Sequence, residues 1–175
     1  MLASEPGSAC SRDLPPRGRD GIALFNRGEF FEAHEALEEI WRDEKSEIRD
    51  LYRGILQIAV AYLHITRGNY PGAVKVYGRS QKWLEKYPDI CQGVNVKRLL
   101  ADAKIVMEAL QALGEENIAS FDRSLFKPIL LTKPTDTRIY ICDRCGHEMF
   151  EHNCKISCPN CGNRFDCSDL NIYFD

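Results

Sequence analysis

Two CxxCG knuckles, Cys142-Cys145-Gly146 and Cys158-Cys161-Gly162, constrain the fold of this chain more than any other feature. Two residues between cysteines let a tight turn aim both sulfurs at one point. The glycine that follows supplies the positive φ such a turn needs. Twelve residues separate the knuckles. Two such pairs make a tetrahedral four-cysteine site, the geometry of structural zinc. The flanking segments TRIYI, HEMFEH and LNIYF alternate in the manner of strands. Residues 138–175 therefore read as a small β zinc ribbon, held by one zinc ion per chain because its core is too thin to fold alone. A rubredoxin-like iron site is the alternative this spacing allows. Cys154 and Cys167 stand outside the paired turns, and His147 and His152 are further spare donors.

A site closed by four cysteines leaves no position for a substrate. Residues 138–175 carry four Arg or Lys against six Asp or Glu. That balance disfavours a phosphate backbone and favours a protein partner or the protein's own helical bundle. The chain as a whole has a net charge of -3, which does not suggest a nucleic-acid or membrane partner. Six of the eight cysteines crowd into the last 34 residues, and the N-terminus lacks an apolar export signal. Metal binding is thus preferred to disulfides, and a cytoplasmic location is expected. The apolar run ILQIAVAYL, residues 55–63, is far short of the roughly 20 residues that span a bilayer.

Ahead of the ribbon, residues 19–114 read as helix throughout. Five helices are expected, over about 19–27, 29–42, 46–67, 69–87 and 95–113. Gly28, Gly68 and Gly114 stop three of them, and Ser46, Asn69 and Asn95 are placed to cap the next ones. The sequence Arg27-Gly28-Glu29-Phe30 returns forty residues later as Arg67-Gly68-Asn69-Tyr70. The fold class is an all-α bundle of two related helical hairpins, tetratricopeptide-like, followed by the ribbon. Residues 1–18 are expected to be a flexible tail. Residues 115–137, which include KPILLTKPTDT, are expected to be an extended linker.

The helical period assigns the polar residues. Phe30, Ala33, Leu37 and Trp41 form the apolar stripe of the second helix, with His34 inside it and Glu38 at its rim. Glu32, Glu35 and Glu39 face water. The third helix is apolar nearly all round, yet Asp50, Arg53, Gln57 and His64 fall on one line along it. A turn at 43–46 makes these two helices antiparallel, which sets Glu38 opposite Arg53 and His34 opposite Gln57. His64 lies nearer Phe25 and Asn26. Three uses compete for these groups. They are buried hydrogen-bonded pairs that fix the register, or a ligand pocket lined by Arg53, Gln57, His64 and Trp41, or a catalytic metal site using His34, Glu38 and Glu35.

The segments FNRGEFFEAHEALEEIWR, LYRGILQIAVAYLHITRGN and YPGAV resemble a bacterial and archaeal family called domain of unknown function 309. The resemblance covers roughly residues 20–110. It rests on Phe25, Gly28, Phe30 to Glu35, Leu37, Glu38, Trp41, Gly54 to Gln57, His64, Arg67 to Asn69 and Gly72-Ala73. Arg53 departs from the family pattern, in which Gln is common there. The resemblance implies a compact helical fold and a general label of metal-dependent hydrolase. The ribbon lies outside that family's core.

The expectation is a binding or interaction protein with a polar site in the bundle and a structural zinc. Its partner is a protein or small ligand. The alternative is a metal-dependent hydrolase built on His34 and Glu38.

Overall fold

Short polar breaks set where each helix begins and ends. In the computed structural model, which describes residues 9–132, 140–152 and 155–166, five long helices follow one another. These are α1 (Pro16–Asn26), α2 (Phe30–Asp43), α3 (Arg49–Thr66), α4 (Tyr70–Leu84) and α5 (Val96–Leu113). The two Arg-Gly breaks share one geometry: Gly28 and Gly68 take φ of 79° and 73°. Asn69 and Asn95 cap as their side chains promise, accepting from Gly72 N and Arg98 N at 2.9 Å each. Ser46 does not cap α3. The residue before that helix is Ile48, which has no capping side chain, and the Ser46 amide instead donates to the Glu44 carboxylate.

The chain divides into two compact units, 1–134 and 135–175. In the first, α1 packs on α2, α2 on α3, and α3 on α4. α3 is the central helix, with Leu51, Tyr52, Ile55, Ile58 and Tyr62 all essentially buried. Its approach to α4 is set at Gly54, where a Cβ would stand 2.5 Å from Leu84 Cγ.

Two stretches differ from the sequence expectation. Residues 9–18 are not a loose tail. Cys10 is disulfide-bonded to Cys91, Leu14 is buried, and α1 begins at Pro16. Proline and charge suggested disorder, but one apolar side chain and one cross-link are enough to anchor so short a segment. The expected linker also belongs in large part to the helical unit. Phe126 stacks on Tyr62 with ring centroids 4.4 Å apart, and Ile118, Phe121 and Ile129 are buried. Residues 129–132 run extended along a small hairpin, β1 (Ile90–Cys91) and β2 (Val94–Asn95). Asn95 N donates to Leu130 O at 3.1 Å and Thr132 N to Gly93 O at 2.8 Å. Residues 1–8 and 133–139 lie outside the described residues.

The second unit is a four-stranded antiparallel sheet in the order β3 (Tyr140–Ile141), β4 (Glu148–His152), β5 (Lys155–Ser157), β6 (Arg164–Asp166). Its core is Met149, Ile156 and two cysteines, with Phe165 against them. LNIYF, Cys154 and Cys167 lie outside the described residues.

Candidate functional site

Each knuckle is a turn closed by its own backbone. Gly146 N donates to Cys142 O at 2.8 Å and Gly162 N to Cys158 O at 3.0 Å. Both glycines take φ of 72°, a region costly for any residue with a Cβ. A second bond in each knuckle repeats the pattern: Cys142 N donates to His147 O, and Cys158 N to Asn163 O, both at 2.8 Å. The result brings the four sulfurs to within 4.8 Å of one another. Cys142 and Cys161 are 3.5 Å apart, and Cys145 and Cys158 are 3.4 Å apart.

Four thiols this close cannot all ionise without a cation among them. Backbone N–H donation at His147, helped by the Asn160 side chain, holds the Cys145 thiol down to about 6. At Cys161 a backbone bond from Asn163 lowers the pKa, but burial and the three neighbouring thiols outweigh it and push it up to about 12. A divalent ion removes this conflict by taking all four as thiolates. Asn163 Nδ2 also approaches Cys142 Sγ at 3.7 Å, an outer contact of the kind that orients metal ligands. The donor set, spacing and surrounding bonds fit a metal ion held by Cys142, Cys145, Cys158 and Cys161.

The helical candidates are arranged differently from expectation. Glu38 does not pair with Arg53. It accepts from Arg42 Nη2 at 2.9 Å, one turn along its own helix. Such a local i, i+4 pair needs no reach between helices. Nor does His34 bond Gln57: the Gln57 Oε1 is buried without a hydrogen-bond partner. His34 is half-buried, its ring 6.4 Å from that of Phe31, and Glu35 is exposed. His64 sits at the end of α3 with its Nδ1 3.1 Å from Asn69 Nδ2, within the Arg-Gly break and not against Asn26. Asn26 is instead engaged by the backbone of Ile129 through both its amide atoms, at 3.0 and 2.7 Å. Among the described residues, the four cysteines are the one group of three or more His, Cys, Asp or Glu donors converging on a point.

Arg53 turns to aromatic rings. Its guanidinium carbon lies 4.1 Å from the Trp83 ring centre and 5.6 Å from that of Trp41. Arg49, one turn earlier, lies 5.0 Å from the Trp41 centre. A planar, weakly hydrated guanidinium stacks on indole readily. Among the described residues no carboxylate pairs with either arginine. Two more buried atoms here are without partners, Trp41 Nε1 and Arg49 Nε. Each such orphan costs roughly 1–3 kcal/mol. The protein itself shields these three atoms from water. Trp83 and Arg49 were not among the residues the sequence singled out. Their signal was available: Arg49, Arg53 and Gln57 recur every four residues, one ridge of α3.

A separate cleft of about 300 Å³ is lined by Phe25, Phe30, Phe126, Arg27, Arg123 and Lys127 among others. Its cations are already engaged, by Glu29 at 2.7 Å, Thr66 O at 3.4 Å and Ser124 O at 2.9 Å.

Fold and sites together define a helical bundle protein with a small β unit whose four clustered cysteines could hold a metal ion. Residues 19–76 match the family described as Domain of unknown function (DUF309). All the motif residues from Phe25 to Ala73 fall inside that match, which is shorter than the expected 20–110. An uncharacterised protein of Aquifex aeolicus (strain VF5) is 33% identical over 78 residues, 44% of this chain and 23% of that protein. The uncharacterised protein YpuF of Bacillus subtilis (strain 168) is 28% identical over 133 residues, 74% of this chain and 64% of that protein. The chain thus spans less than two thirds of the length of either relative.

Proposed function

We propose that this is a binding protein whose helical unit takes its ligand on the face formed by Trp41, Arg49, Arg53 and Trp83. Its four-cysteine unit holds a structural zinc ion. The observation that carries the reading is that Arg49 and Arg53, half-buried against the half-buried rings of Trp41 and Trp83, have no carboxylate partner among the described residues. A protein or small-molecule ligand would meet the N–H edges that the stacked guanidiniums leave open. The hydrolase alternative is less well supported, because Glu38 is occupied by Arg42 and Glu35 points to water. Zinc is the preferred ion because four thiolates in two tight turns match its tetrahedral habit and leave no open coordination position.

No helix among the described residues is long and apolar enough to cross a membrane. A cytoplasmic location suits the four reduced thiols. The Cys10–Cys91 bond suits an oxidising compartment better, and in cytosol it would tend to be reduced.

Elemental analysis of the purified full chain tests the proposal. The expected result is one zinc per chain, lost in Cys142→Ser/Cys145→Ser and retained in His34→Ala. A second equivalent that survives the cysteine substitutions but disappears in His34→Ala would overturn the binding reading in favour of the hydrolase.

A further inference from the structure

We propose that Cys10 and Cys91 form a reversible thiol–disulfide latch, with Cys10 as the sulfur that meets the oxidant. Oxidised, it fastens residues 9 and 10 over the turn of the 90–95 hairpin; reduced, it lets them leave. The proposal does not depend on the binding reading above and gives the helical unit a redox response. Two states of cysteine in one chain motivate it. The four clustered cysteines are metal ligands only as thiolates, whereas Cys10 and Cys91 are joined. Surroundings reducing enough to keep the first set as thiols also tend to open the second.

The two sulfurs differ in access. Cys91, in β1, is fully buried, while Cys10 is half-buried. A reagent in solvent therefore meets Cys10 first. In the oxidising direction, hydrogen peroxide transfers one oxygen to the Cys10 thiolate, which becomes a sulfenic acid. The Cys91 thiol then attacks that sulfur, the S–S bond forms, and the oxygen leaves as water. The sum is two thiols and one peroxide giving one disulfide and two waters. In the reducing direction, one thiolate of a dithiol attacks Cys10 Sγ, and Cys91 leaves and takes up a proton. The second thiol of the reductant closes on the first and expels Cys10.

The pair latches because of what lies beside it. Gln92 N donates to Cys10 O at 2.7 Å, and Gln92 Nε2 donates to Ala9 O at 3.4 Å. The Tyr52 hydroxyl donates to Gln92 Oε1 at 2.8 Å. Gln92 is buried, yet its φ is 50°, a left-handed conformation uncommon for a residue with a long side chain. Such a conformation persists where neighbours over-determine it. Residues 9 and 10 supply two of the three bonds just named, so their departure removes most of that constraint. The segment is fastened separately further on. Leu14 is buried against Gly18, and its carbonyl accepts from Arg19 Nε at 3.0 Å. Motion released at Cys10 therefore stops before α1.

Amide hydrogen exchange, read by NMR on the isotope-labelled, zinc-loaded full chain, tests the latch without any variant. With dithiothreitol present, the Gln92 amide should exchange within about tenfold of the rate of an unstructured peptide, while the Ile58 amide in α3 stays protected. Air-oxidised chain should protect both, and Cys10→Ser should behave as the reduced parent does. The chemistry is tested by adding hydrogen peroxide to reduced chain and mapping each cysteine by peptide mass spectrometry. The Cys10–Cys91 bond should return in the parent chain. Dimedone, which traps sulfenic acid, should label Cys10 in Cys91→Ala and should not label Cys91 in Cys10→Ser. Where Cys91→Ala fails to fold, the parent and Cys10→Ser arms still decide. The proposal is overturned if Gln92 stays protected in the reduced chain, or if Ile58 loses protection with it, since the bond would then hold the whole bundle. It is overturned equally if peroxide does not restore the bond, or if Cys91 is labelled in Cys10→Ser.

Discussion

Gly54 shows how one residue can set the distance between two helices. A methyl group there would meet Leu84 Cγ at 2.5 Å, and Leu84 is itself fully buried. Gly54→Ala is expected to cost about 1–3 kcal/mol, read as a lowered urea midpoint. The tyrosines give a second consequence at this scale. Burial raises the phenol pKa of Tyr52, Tyr62, Tyr77 and Tyr87. A phenol that holds its proton more tightly when folded releases it on unfolding. Its contribution to stability is full below the usual phenol value of 10.0 and is lost as pH rises from there toward the folded value. Melting temperature should therefore fall as pH rises above about 10, and fall less steeply in Tyr62→Phe than in the parent chain. The convergence of the four cysteine sulfurs was legible because CxxCG fixes backbone and sulfurs together. The destination of Arg53 was not. Period and register place a side chain on a face, but they do not say whether it pairs with an acid or stacks on an indole of another helix.

At the scale of elements, the helices were readable to within a few residues because Gly and Asn punctuate them. The repeated Arg-Gly break folds alike at both of its occurrences, although Asn69 caps with its side chain and Glu29 does not. The hairpin at 90–95 was missed. Its strands are two residues each, and the turn residues Gln92 and Gly93 take φ of 50° and 77°, for which a Gln is an unusual choice. That hairpin gathers several long-range ties: the disulfide to Cys10, the Tyr52 hydroxyl donating to Gln92 Oε1 at 2.8 Å, and Thr132 donating to Gly93 O. The disulfide closes a sequence separation of 81 residues. Cys10→Ser should lower stability by about 2–5 kcal/mol in non-reducing buffer. Dithiothreitol added to the parent chain should reproduce that loss, and no loss in either case would mean the cross-link does not form in solution.

For the whole molecule, two units divide the chemistry between them. The four cysteines of the C-terminal unit come within 4.8 Å of one another and could hold a metal ion, and the helical unit carries two arginines stacked on tryptophans. The family match at 19–76 includes Trp41, Arg49 and Arg53 but stops short of Trp83, which lies outside the shared segment. The central claim is that metal belongs to the cysteines and not to His34 and Glu38. Anomalous scattering at the zinc absorption edge, from crystals of the zinc-loaded full chain, tests it most directly. The account predicts one peak per chain, centred among the sulfurs of Cys142, Cys145, Cys158 and Cys161. A peak beside His34 and Glu38 would contradict it.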